Sequence, residues 1–138
     1  MTNKLNFKQS FMAGSMAAGL ATIINTALFF IFHGMGIITD DIFVQPNQPL
    51  TATPVIFASI LPTLIASVVF FLFEKYSNNG YRNFRNLSII LLVFSFINPF
   101  MGIKGVTVPY AIALDIMHIP IVVALFYFIG KSKISSNA

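Results

Sequence analysis

Cysteine and tryptophan are both missing from the chain, and acidic side chains are scarce: four Asp and Glu stand against eight Lys and Arg in 138 residues. Without cysteine there are no disulfides, no thiolate nucleophile and no cysteine-ligated metal, and the redox compartment stays open. Charge of either sign is sparse, at 9% of residues, where a soluble domain carries about a quarter. With 57% hydrophobic residues and a mean hydropathy of +0.83, the composition excludes a soluble globular domain and predicts an integral membrane protein. Phosphate-binding loops, nucleic-acid modules and a G-x-S-x-G nucleophile elbow are also absent. The net charge of +4 lies at the ends of apolar runs, so it concerns membrane lipids and topology and not nucleic acid.

What is present is apolar mass in four blocks, approximately 11–33, 53–73, 87–103 and 107–129. At ~1.5 Å per helical residue such runs suit a hydrocarbon layer of roughly 30 Å. The expected fold class is all-α: one domain over 1–138, a four-span transmembrane helical bundle. The first run follows Lys4 and Lys8 as a signal peptide would, but it is too long and lacks a small-x-small cleavage pattern, which predicts an uncleaved helix. Gly14, Ala18, Ala21 and Asn25 form one stripe on it, a surface for close helix approach either within the chain or in a homo-oligomer. The second run starts near Pro54, is expected to kink at Pro62, and has Ser59, Thr63 and Ser67 on its polar side. Residues 74–86 form a charged joint, residues 40–49 a loop over the mouth of the bundle, and Asn98-Pro99 interrupts the third run. Lys4, Lys8, Lys75, Arg82, Arg85, Lys131 and Lys133 all fall on one side of this arrangement, against Asp40, Asp41 and Lys104 on the other. The positive-inside rule therefore predicts two cytoplasmic termini.

The fourth run is the one long apolar stretch with an acid and a histidine in its interior, Asp115 and His118, three residues apart and so on one face. Insertion scales charge an aspartate at such depth about 2.5–3.5 kcal/mol, which a packed neighbour or a wet cavity must offset. Counting along the spans puts Asn25, Asn98 and Asp115 in the outer half of the membrane and His118 nearer its middle. Together they predict a pocket for a small ligand or ion, with proton-linked transport as the extended form of that reading. The alternative is a scaffolding or assembly subunit in which the same groups only lock the helices in register. No cofactor is expected. His33 and His118 sit too far apart in depth to share one haem, and D-x-x-H lacks the further ligands of a metal site.

Two features, the Gly/Ala-rich first span carrying a single Asn from Gly14 through Asn25 and the fourth span bearing Met117-His118, resemble the small four-helix bacterial integral membrane proteins classed as a domain of unknown function. The resemblance covers nearly the whole chain. It implies the four-helix architecture and the bacterial plasma (inner) membrane, and it implies no substrate.

Overall fold

The computed structural model describes residues 4–137. Helix α1, Phe7–Gly34, begins at a reciprocal cap: Asn6 Oδ1 accepts from the Gln9 amide at 2.9 Å and Gln9 Oε1 from the Asn6 amide at 3.0 Å, which satisfies two of the free amides at a helix start. A left-handed Gly36, φ +70°, follows its end. The connection to the next helix carries a small antiparallel hairpin of β1, Phe43–Gln45, and β2, Gln48–Pro49. Helix α2 is Ala52–Tyr76, α3 is Gly80–Ser95, α4 is the short Asn98–Gly102, and α5 is Val108–Asn137. The fold is all-α in its body. Four stretches, Phe7–Gly34, Ala52–Tyr76, Gly80–Gly102 and Val108–Ser136, are helical, long and apolar enough to cross a membrane.

Helix α1 lies between α2 and α5, while α3 closes the far side against the same two; among the described residues α1 and α3 do not touch. The small-residue stripe explains the tight α1–α2 seam. Ala13, Gly14, Ala17, Ala18, Ala21 and Asn25 are all buried, and a Cβ on Gly14 would run into the Cβ of Ser67. The stripe is thus occupied within the chain, while Met16, Leu20, Ile23 and Phe30 on the other side of α1 are exposed.

Two apolar clusters sit at opposite ends of the bundle. One joins Leu5, Ala13, Phe70, Phe84, Leu125 and Ile129 at the end holding both termini. The other joins Phe29, Val55, Tyr110 and Met117 to Ile38, Ile42 and Leu50 of the α1–α2 connection. That connection is therefore packed over the bundle mouth, as its position suggests, and three apolar side chains pin it there.

The helices outrun their apolar cores, and this is where the expected spans fall short. The stretch 74–86, expected as a joint, is helical except for Ser77–Asn79, and α5 continues past 129 to Asn137. Hydropathy registers only what must sit in hydrocarbon, whereas a helix already formed continues through the headgroup layer, where polar residues are welcome. Phe84 shows the effect: it lies in the polar first turns of α3, yet it is buried with ring centroids 5.2 Å from Phe70. The expected break at Asn98-Pro99 is present, separating α3 from α4.

Candidate functional site between the two apolar clusters

A polar layer separates the clusters. Asn25 lies about 14 Å along α1 from Gly34, Ser59 about 11 Å along α2 from Ala52, and His118 about 15 Å along α5 from Val108, so the three meet at one level. Ser59 turns inward because α2 buries Val55, Ser59, Thr63, Ser67, Phe70 and Glu74, a spacing of three and four that makes one helical stripe. Its hydroxyls are satisfied locally: Ser59 Oγ donates to Val55 O at 2.9 Å and Thr63 Oγ1 to Ser59 O at 2.6 Å. The Asn25 amide crosses from α1 to donate through Nδ2 to Ser59 Oγ at 2.9 Å. Asn25 is 2% exposed, and its Oδ1 has no hydrogen-bond partner among the described residues. His118 makes a 2.7 Å contact from Nδ1 to Leu114 O, one turn back on its own helix.

Asn25, Ser59 and His118 line a cavity of about 140 Å³, together with Val55, Ala58 and Met117. Leu50, from the connection over the mouth, also borders it. A second cavity of about 340 Å³ lies between α2, α3 and α5, lined by Pro62, Ser88, Ser95 and Val122, and it shares Ala58, His118 and Ile121 with the first. The imidazole therefore stands in the wall between the two spaces.

The expected site residues divide evenly. Asn25 and His118 come together in the smaller cavity. Asn98 is exposed at the start of α4, and it borders neither cavity. Asp115 is half-buried on α5, its Oδ1 without a hydrogen-bond partner among the described residues, and it too is outside the lining of both. No hydrogen bond joins Asp115 to His118 among the described residues, since the ring turns Nδ1 to the Leu114 carbonyl. His33 instead meets Asp40, 3.2 Å away at the exposed mouth.

Residues 7–133 match the model of a family of unknown function, DUF6069. The chain belongs to this family. No curated protein and no solved structure matches it. With four apolar helices, this family member is a multi-pass membrane protein.

One polar centre escaped the sequence reading altogether. Glu74, at the end of α2, is 2% exposed and receives Lys133 Nζ at 2.8 and 2.9 Å on its two oxygens. The Leu5 amide also donates to it, at 3.3 Å, and Lys4 Nζ donates to the nearby Ser77 carbonyl at 3.1 Å. Gly80 presses on the same residue: a Cβ there would sit 2.7 Å from Glu74 Cα. The N-terminal segment and the ends of α2, α3 and α5 thus converge on one carboxylate. The signal was available, because Glu74 continues the Ser59, Thr63, Ser67 stripe at helical spacing.

Proposed function

We propose that this protein resides in a bacterial inner membrane with both termini in the cytoplasm, and that its outer-half pocket binds a small ligand or ion. The observation that carries the reading is Asn25: its buried amide oxygen has no donor among the described residues, and its side chain borders a cavity that also has an imidazole in its wall. Buried polar groups are ordinarily satisfied, so such an acceptor at membrane depth supports a site that something polar completes. The orientation rests on charge. Lys4, Lys8, Lys75, Arg82, Arg85, Lys131 and Lys133 lie at the end holding the termini, opposite Asp40, Asp41 and the single lysine Lys104.

Both parts are open to one experiment, because the chain has no cysteine to remove. Single cysteines at Asn47, Asn79 and Val55 should separate three environments under an impermeant thiol reagent added to intact cells. Asn47→Cys should label and Asn79→Cys should not. Val55→Cys, on the cavity wall, should label more slowly than Asn47→Cys but completely. Labelling of Asn79→Cys alone would reverse the topology, and an inert Val55→Cys in a folded protein would remove the pocket.

Transport linked to protons is the extended form of this reading. Asp115 lies one turn outward of His118 on α5, where an ionised carboxylate would act on whatever the imidazole binds. Asp115→Asn keeps the size and removes the charge; a ligand response that keeps its pH profile in this variant would take Asp115 out of the mechanism. The scaffolding reading draws on the Asn25–Ser59 bond, which ties α1 to α2 as a register lock would. It predicts that Asn25→Leu alters stability alone.

A further inference from the structure

We propose that the seam between α1 and α5, at the end of the bundle holding both termini, retains one anionic glycerophospholipid, with its phosphate beside Lys131 and Gln9 and one acyl chain along Met12, Met16 and Phe128. This goes beyond the outer pocket and does not depend on it. A hollow of about 330 Å³ opens at this end, lined by Gln9, Met12 and Met16 from α1 and by Phe128, Lys131 and Ser132 from α5. Spacings of three and four keep each set on one helix face. On both helices the polar residues stand nearer the bundle end and the apolar ones deeper, the order in which a lipid presents its headgroup and its chain. Met12 and Met16 are exposed, so the hollow opens sideways to lipid.

The seam continues toward the middle of the membrane. A second hollow, of about 480 Å³, is lined by Leu20 and Ile24 from α1 and by Pro120, Val123 and Tyr127 from α5, with no charged side chain. The two follow directly: Met16 and Leu20 are one turn apart, and the rings of Tyr127 and Phe128 meet edge to face with centroids 5.1 Å apart. From Gln9 to Ile24 is fifteen residues, about 22 Å of helix at ~1.5 Å each. One leaflet with its headgroups is half of a ~40–45 Å bilayer, hence roughly 20–22 Å. The seam matches the length of one lipid.

The polar end selects an anion by its donors and by its charge. Gln9 Oε1 is taken by the Asn6 amide at 3.0 Å, so what this side chain can still offer is its N–H pair. Lys131 has donors only, and among the described residues no carboxylate pairs with it; its ammonium lies 6.0 Å from the centroid of the Tyr127 ring. A phosphodiester only accepts. Every cationic side chain except Lys104 is at this end, and the one acidic side chain there, Glu74, is already bridged by Lys133 at 2.8 Å. Asp40, with its His33 contact, and Asp41 are at the opposite end, and Asp115 is sixteen residues from Lys131, about 24 Å along α5. The rival occupant is a second copy of the chain. Copies in one membrane share an orientation, so a second copy would bring its own lysines to the same level, where an anionic lipid brings the missing charge.

The test equilibrates purified protein in mixed micelles with equimolar dioleoyl phosphatidylglycerol and dioleoyl phosphatidylethanolamine, and counts retained lipid by native mass spectrometry. Any lipid-facing hollow holds a chain, so headgroup selectivity is the readout. One phosphatidylglycerol should be retained about fivefold over phosphatidylethanolamine, the factor expected for one lysine near an anionic headgroup. Lys131→Gln should bring the ratio to about one and Lys131→Arg should keep it. Lys8→Gln removes an equal charge from another face of α1, since adjacent residues do not share one, and should keep the ratio too. Lys131 is exposed and outside the Glu74–Lys133 pair, so these variants should unfold as the parent does. Inorganic phosphate exchanged for chloride at constant ionic strength should not displace the lipid, because it lacks the chain. Equal retention of the two lipids by the parent protein overturns the proposal. So does an equal loss of preference in Lys8→Gln and Lys131→Gln, which would show a diffuse field and no site. Displacement by inorganic phosphate would overturn it in favour of a bare anion site, and a dimer carrying no lipid would give the seam to a second copy.

Discussion

Replacing Lys133 with methionine should cost the fold about 3 kcal/mol, the lower end of the range for stripping one partner from a buried ion pair. Glu74 is almost wholly enclosed, and Lys133 supplies both of its charge-assisted bonds, at 2.8 and 2.9 Å. Without the ammonium, the carboxylate keeps, among the described residues, only the 3.3 Å bond from the Leu5 amide. The lower end applies because the lysine side chain is 20% exposed, so water reaches part of the gap. Reversible unfolding in mixed micelles measures the loss. The double variant Glu74→Leu/Lys133→Met should recover much of it, since an apolar pair carries no desolvation cost, and the cycle gives a coupling free energy between the two sites. A Lys133→Met protein within about 0.5 kcal/mol of the parent, the scatter of ordinary surface changes, would mean that the four converging chain ends are held by apolar contacts alone.

That ion pair also marks the boundary of what could be read from the chain. The four apolar runs, the interruption at Asn98-Pro99 and the small-residue face of α1 follow from hydropathy and helical periodicity, and all three are present. Helix ends do not follow, because hydropathy is blind to a helix that continues into the headgroup layer. With α5 ended at 129, Lys133 belongs to a tail and has no reason to meet Glu74. With α5 continued to Asn137, it points back along the bundle to the end of α2.

The site divides for a related reason. Counting residues from a span end gives depth, and it set Asn25, Asn98 and Asp115 in the outer half with His118 nearer the middle, whereas the structure brings Asn25 and His118 into one cavity wall. Facing is a second coordinate, which a helix sets by rotation and a break resets. Asn98 has the right depth, but the chain turns after Ser95 and presents it outside the core. Asp115 and His118 share a face of α5, yet the ring satisfies Nδ1 on the Leu114 carbonyl, a partner that every helix offers and no side-chain pattern reveals. Ser59 was recognisable as part of a polar stripe. Its role as the acceptor that orients Asn25 depends on the α1–α2 distance.

That distance yields the most discriminating substitution in the chain, Gly14→Ala. Intrinsic propensity favours it: alanine in a helix interior is worth about 0.8–1 kcal/mol over glycine. The packed structure opposes it, because the new methyl would run into Ser67 Cβ and lie 2.6 Å from Ser67 Oγ. Neither atom is the far end of a flexible chain, so α1 and α2 have to part, and overpacking of this kind costs typically 1–3 kcal/mol. The steric term is expected to win, giving a net destabilisation of about 1 kcal/mol or more. The separation should also lengthen the Asn25–Ser59 bond three turns away and loosen the cavity wall. Ser67→Gly removes the opposing atoms, so Gly14→Ala should become neutral or stabilising in that background, where propensity acts alone. Matched effects of Gly14→Ala in both backgrounds, measured as unfolding free energies in the same micelles, would show that the two helices do not touch at Ser67.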